Sequence, residues 1–100
     1  PTIIAFIYAL SQTTNHKSLQ NTFIKIQRYY KQNVELTVAI MRLLVSWNVK
    51  SNSLILDNYE SDNYIVRLTC AKFGFDLLHK TKYYKLVCYL YDPNSFVRNN

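Results

Sequence analysis

Nucleophilic or metal chemistry in this chain would have to use Cys70, Cys88, His79 and His16, the only thiols and imidazoles present. A zinc site needs such ligands in clustered pairs. Neither cysteine stands in a CxxC pair, and the four residues are too scattered along the chain to suggest one cluster. A Cys–His nucleophilic pair, Cys70 or Cys88 with His79, would need a third group to orient the base, and no motif supplies one. Both cysteines read instead as small core residues. His79, next to Lys80, reads as positive charge placed at the end of a helix. The six acidic residues form no evident carboxylate pair, and a single glycine cannot build a phosphate loop. The sequence is therefore read as non-enzymatic, with no cofactor and no metal.

Charge points to binding. Twelve Lys and Arg against six Asp and Glu give a net charge of +6. The basic residues fall in two groups interleaved with tyrosine. Lys17, Lys25, Arg28 and Lys31 accompany Tyr29 and Tyr30; Lys72, Lys80, Lys82 and Lys85 accompany Tyr83 and Tyr84. Such groups are ordinarily solvated helix faces with tyrosine at the water boundary. They also suit an acidic protein surface or peptide, and less readily the phosphates and bases of nucleic acid. Two cysteines outside any paired framework fit a reducing compartment, nucleus or cytoplasm. The apolar segment from Thr2 to Leu10 lacks a basic flank and is too short to span a bilayer.

Elements that could position these residues are read from periodicity. One glycine and two prolines are too few turn formers for a sandwich or barrel, so helices are expected despite nine tyrosines. Ile3, Phe6, Ile7 and Leu10 mark a first helix. Ser18 caps a second, with Leu19, Phe23, Ile26 and Tyr30 inward. Ile40, Leu43, Leu44 and Trp47 stripe a third from about Val34 to Val49, widened by Val38, Met41 and Val45. A short fourth begins after Ser51 or Ser53. A fifth runs from about Asn63 to Lys80 with Val66, Cys70, Phe73 and Leu77 inward. Its Gly74 costs about 1 kcal/mol against alanine, which either close approach or simple tolerance would explain. A sixth is capped by Thr81, with Tyr83, Leu86, Val87 and Leu90 as its face. Asp92-Pro93 ends it, and proline suits the first turn of the next element.

Asn63-Tyr64-Ile65-Val66-Arg67 and Asn94-Ser95-Phe96-Val97-Arg98 align without a gap, 31 positions apart. That period belongs to chains that stack supersecondary units. A weaker earlier copy is Asn33-Val34, with Glu35 where arginine is expected. The run Asp92-Pro93-Asn94-Ser95-Phe96-Val97-Arg98 resembles the turn and second-helix start of a HEAT repeat, and Val66-Arg67 matches one repeat earlier. The resemblance implies an all-α fold of antiparallel helical hairpins stacked as an α-solenoid of the HEAT/armadillo type. It also implies that Val66 and Val97 pack inward while Arg67 and Arg98 join a polar ladder near Asp62 and Asp92. Residues 1–100 are then one helical-repeat segment of about three helix pairs. With no initiator methionine and two residues after Arg98, a fragment with its last helix cut short is expected. The function implied is a non-catalytic scaffold that holds other protein subunits in a large intracellular assembly. The alternative is a small basic helical domain that binds nucleic acid. No membrane span is expected.

Overall fold

A computed structural model describes residues 2–12 and 17–99, and every regular element in them is helical. The α-helices are α1 (Thr2–Ser11), α2 (Lys17–Tyr29), α3 (Val34–Ser46), α4 (Asn52–Leu56), α5 (Tyr64–Leu77) and α6 (Ser95–Arg98). A 3₁₀ helix, Lys80–Tyr91, connects α5 to α6. No described helix is long and apolar enough to cross a membrane. His16 lies outside the described residues.

The most apolar segment of the sequence forms the centre. α3 packs on α1, α2 and α5. Its Ile40, Leu43 and Leu44, with Met41, are fully buried, as the stripe requires. Trp47 is buried too. Its ring meets Phe23 of α2 edge-on at 6.4 Å, and its Nε1 donates to the Leu10 carbonyl at 3.3 Å. One indole thus ties α3 to both helices before it. Asn33 starts α3 by accepting the Leu36 N–H, and Glu35 favours the positive end of the helix dipole.

α3 stops at Ser46, short of the expected Val49, because the backbone turns left-handed at Asn48 (φ 57°). The Val49 N–H bonds back to the Leu44 carbonyl and the Asn48 N–H to the Val45 carbonyl. This is the Schellman closure, with asparagine at the position glycine usually takes. Ser51 then caps α4, bonding the Leu54 N–H. Its own N–H reaches the Leu77 carbonyl at the far end of α5, and Asn52 accepts the His79 N–H. These cross-bonds set α4 and α5 antiparallel.

The 3₁₀ helix departs from expectation. Thr81 does not cap it; His79 precedes it and makes no side-chain cap bond. With three residues per turn, positions 83, 86 and 89 face inward. Leu86 and Tyr89 are buried and Tyr83 half-buried, whereas Val87 and Leu90 are exposed. Packing of α5 on Val87 and Leu90 is thereby corrected. Val66, Cys70 and Leu77 are buried as expected, and Phe73 is half-buried. The Leu86 methyls come so near that a Cβ on Gly74 would sit 2.6 Å from them. Close approach, not tolerance, explains the glycine.

The other inward faces hold at Ile7, Leu10, Leu19, Phe23 and Ile26 and fail at two positions. Phe6 of α1 is exposed, and so is Tyr30, just past the end of α2, while Gln27 of α2 is fully enclosed. Ser18 lies inside α2, which already begins at Lys17, and Pro93 precedes the α6 cap instead of entering its first turn.

Leu77→Ala should lower stability by about 2–5 kcal/mol, since the side chain is fully enclosed. Asn48→Gly should be neutral or stabilising by up to ~1 kcal/mol, because glycine takes positive φ without a Cβ penalty. Urea unfolding of both variants checks the pair. A tolerated Leu77→Ala, or an Asn48→Gly that destabilises, would contradict this packing.

Candidate interaction site

Two turns that match in sequence also match in geometry. Asn63 and Asn94 cap α5 and α6 with nearly equal backbone angles, φ −87°, ψ 122° and φ −91°, ψ 126°. Their side-chain oxygens accept the N–H two residues on, at Ile65 (2.8 Å) and Phe96 (2.9 Å). Two residues before each cap, Ser61 Oγ and Asp92 Oδ1 accept the N–H of that asparagine. Val66 and Val97 are both buried. Arg67 and Arg98 both fold back to donate Nη1 to the carbonyl six residues earlier, Ser61 (2.9 Å) and Asp92 (2.6 Å). The elements before the two turns differ: a five-residue α4 in one case and the 3₁₀ helix in the other.

The earlier copy needs realignment. Asn33 caps α3 through the N–H three residues on, where Asn63 uses the one two residues on; with the caps aligned, Leu36 and Thr37 take the places of valine and arginine, and Glu35 does not. The caps then stand at 33, 63 and 94. Leu36 and Thr37 are buried.

Thr37 is bonded to α2, which in turn reaches the end of α4, whereas Arg67 itself reaches the following turn. Gln27 Nε2 donates to Thr37 Oγ1 (3.2 Å) and to Asn58 Oδ1 (3.1 Å), while Asn58 Nδ2 donates to the Leu54 carbonyl. Among the described residues Gln27 Oε1 is buried with no partner. One unit later, Arg67 donates Nε and Nη2 to the Asp92 carboxylate at 2.8 and 3.3 Å, and Nη1 also reaches the Asp62 carbonyl. The carboxylate met is therefore Asp92 of the following turn, not that of Asp62. Arg98 meets Asp92 only through its backbone carbonyl.

Hydrogen bonds from Arg67 hold the Asp92 carboxyl below the usual carboxylate range. Burial pushes the Cys70 thiol up to about 12, opposite to what an activated nucleophile needs. Burial likewise raises Tyr89, whose hydroxyl donates to the Tyr59 carbonyl at 2.7 Å. His79 is exposed. Among the described residues no group of His, Cys, Asp and Glu could hold a metal.

The basic residues do not gather into one site. Lys17, Lys25 and Arg28 lie exposed on α2, and Arg28 is paired with Asp57 at 2.7 Å. Lys31 is exposed in the following turn, and Tyr29 packs edge-on against Tyr30 at 4.8 Å. Lys72 is exposed 5.6 Å from the Phe73 ring, and Lys85 lies 5.3 Å from that of Tyr84. Lys80 is exposed and Lys82 half-buried, while Pro93 is exposed beside the buried Asp92. The segment after α4 is bonded to α2 through Gln27 and Arg28 and to the 3₁₀ helix through Tyr89. It thereby separates the two basic groups.

A different surface is more concave. An open, mainly apolar groove of about 600 Å³ runs between α1 and α3, walled by Ile4, Tyr8, Val34, Val38 and Ile65, with Arg42 on its rim. In the sequence Val38 only widens the α3 core stripe, and Val34, Arg42 and Ile65 give no sign of a shared surface. No family model matches the sequence, and no curated protein or solved structure matches the chain.

The Arg67–Asp92 pair is well shielded, with side chains 16% and 5% exposed. Its loss therefore exceeds the ~0–1 kcal/mol of a surface pair. Arg67→Gln should cost about 1.5–3 kcal/mol at neutral pH. Because folding lowers the Asp92 pKa, its stabilisation is complete above the ordinary carboxylate value of about 3.9 and fades as pH falls through the folded value. Arg67→Gln should flatten that acid limb. Urea unfolding across the acid range measures it, and an unchanged limb would count against the pairing.

Proposed function

We propose that this chain is a segment of an α-solenoid of the HEAT/armadillo type, acting as a non-catalytic scaffold that holds protein partners in a large assembly. The observation that carries the reading is the repeated turn. A buried valine and a back-folded arginine follow an asparagine cap twice, and a third cap stands 30 residues earlier. Units so arranged bury their apolar faces on their neighbours. Consistent with this, α3 packs on α1 and α5, and α5 packs in turn on α6. Side chains with no chemistry of their own suffice for such work, and the groove between α1 and α3 supplies an apolar contact surface. Cys70 and Cys88, both free thiols, agree with a nuclear or cytoplasmic setting.

The nucleic-acid reading draws on the +6 charge and on the two tyrosine-interleaved basic groups, which stand apart from one another. Affinity capture from nuclease-treated extract of the native cells separates the two. The scaffold reading expects protein partners that survive nuclease and are lost with Arg42→Glu or Val38→Glu, each variant keeping the wild-type helical circular dichroism. Partners that vanish on nuclease treatment and return with added nucleic acid would sink it. So would capture indifferent to both substitutions.

A further inference from the structure

Lys80–Tyr91 runs for 12 residues as a 3₁₀ helix, although 3₁₀ hydrogen bonds are poorly aligned and runs beyond three or four residues are uncommon. Its bonds span three residues at both ends, from the Lys82 N–H to the His79 carbonyl and from the Asp92 N–H to the Tyr89 carbonyl. The same residues carry the spacing of an α-helix, with Tyr83, Leu86, Val87 and Leu90 on one face. Tyr83 and Leu86 face inward in either register, so the seat of Leu86 on Gly74 serves both. Only the remaining inward positions differ. The 3₁₀ register turns Tyr89 inward. The α register replaces it with Val87 and Leu90, which already border one groove with Ala71 and Phe75 of α5.

Length separates the two registers. At about 2.0 Å per residue the 3₁₀ segment spans about 24 Å, and at about 1.5 Å per residue an α-helix of the same residues spans about 18 Å. Both ends are tied. At the start Asn52 accepts the His79 N–H, and Tyr83 donates to the Phe75 carbonyl. At the finish Tyr89 donates to the Tyr59 carbonyl, and Asp92 meets Arg67 at 2.8 Å. An α-helix falls about 6 Å short of that span, so it cannot keep both closing contacts.

We propose that Lys80–Tyr91 is a two-register element, latched as a 3₁₀ helix by the Arg67–Asp92 pair and recoiling to an α-helix when that pair opens. Recoil draws the turn before α6 about 6 Å toward the start of the segment. It rotates Val87 and Leu90 onto α5 and takes Tyr89 off the Tyr59 carbonyl. One contact thus sets both the spacing of α6 from α5 and the hold on the segment after α4. Two packings of one sequence that differ by a single latch are an established form of switch. The choice of register is made between α5 and this segment, so the inference goes beyond the scaffold reading and does not rest on it.

Proton NMR of the whole chain distinguishes the registers, since a 3₁₀ helix brings Hα and H–N close two residues apart and an α-helix brings them close four residues apart. The wild-type chain should show the two-apart set across the segment. Arg67→Gln should replace it with the four-apart set, add contacts from the Val87 and Leu90 methyls to Ala71 and Phe75, and remove those between the Tyr89 ring and Tyr59. Asp92→Asn keeps an oxygen for the Asn94 N–H and should shift the balance the same way. Val87→Asn with Leu90→Asn alters only side chains that are exposed in the 3₁₀ register. Added to Arg67→Gln, that pair of changes should abolish the four-apart set. Four-apart contacts in the wild-type chain would overturn the proposal. So would an Arg67→Gln chain that keeps the two-apart set or loses both sets, an Asp92→Asn chain that does not shift, or a triple variant that matches Arg67→Gln.

Discussion

One guanidinium joins what the sequence separates. Arg67 holds the backbone of its own turn through the Ser61 and Asp62 carbonyls and grips the carboxylate of the next turn at Asp92. Holding the first fixes where α5 begins, and so turns Val66 inward. Gripping the second fixes where α6 begins, because Asp92 also accepts the Asn94 N–H that sets up the next cap. A planar, five-donor fork can serve backbone and carboxylate together; lysine in its place could not match that geometry. The 3₁₀ helix is then held at both ends. Tyr83 donates to the Phe75 carbonyl near its start, and Tyr89 donates to the Tyr59 carbonyl near its finish.

Much of this was legible because burial writes itself into spacing. The α3 stripe of Ile40, Leu43, Leu44 and Trp47 is the centre of the core, as its apolar density implied. The paired Asn…Val-Arg segments announced two turns of one shape. What misled was ambiguity between neighbouring periods. Tyr83, Leu86, Val87 and Leu90 fit an α-helical face, but Tyr83, Leu86 and Tyr89 fit a three-residue turn equally well. The tight seat of Leu86 on Gly74 goes with the second. The first copy was misregistered for a related reason. Apolar residues stand at both 34 and 36, and only the asparagine cap tells which is equivalent to Val66.

Polar contacts were the least legible part. Gln27 reads as one more polar position on α2, since the partner that encloses it, Asn58, is 31 residues away. No local pattern encodes such a pair. The basic residues misled in the opposite sense. Clustering in sequence suggested clustering in space, yet Arg28 is paired with Asp57 and the segment after α4 divides the two groups. The groove between α1 and α3 was half visible, because a helix apolar on more than one side must offer a second face either to the core or to something else.

The polar contact between α2 and the end of α4 and that between α5 and the turn before α6 differ in kind. The first combines a neutral, enclosed knot of Gln27, Thr37 and Asn58 with the exposed Arg28–Asp57 ion pair. The second is an ion pair, which protonation of Asp92 dissolves. The first keeps its enclosed neutral part when its ion pair is screened or protonated, whereas the second depends on the charge of Asp92. Acid would therefore loosen the contact between α5 and the turn before α6 more than the α2–α4 junction, where the neutral knot remains when the Arg28–Asp57 pair is lost.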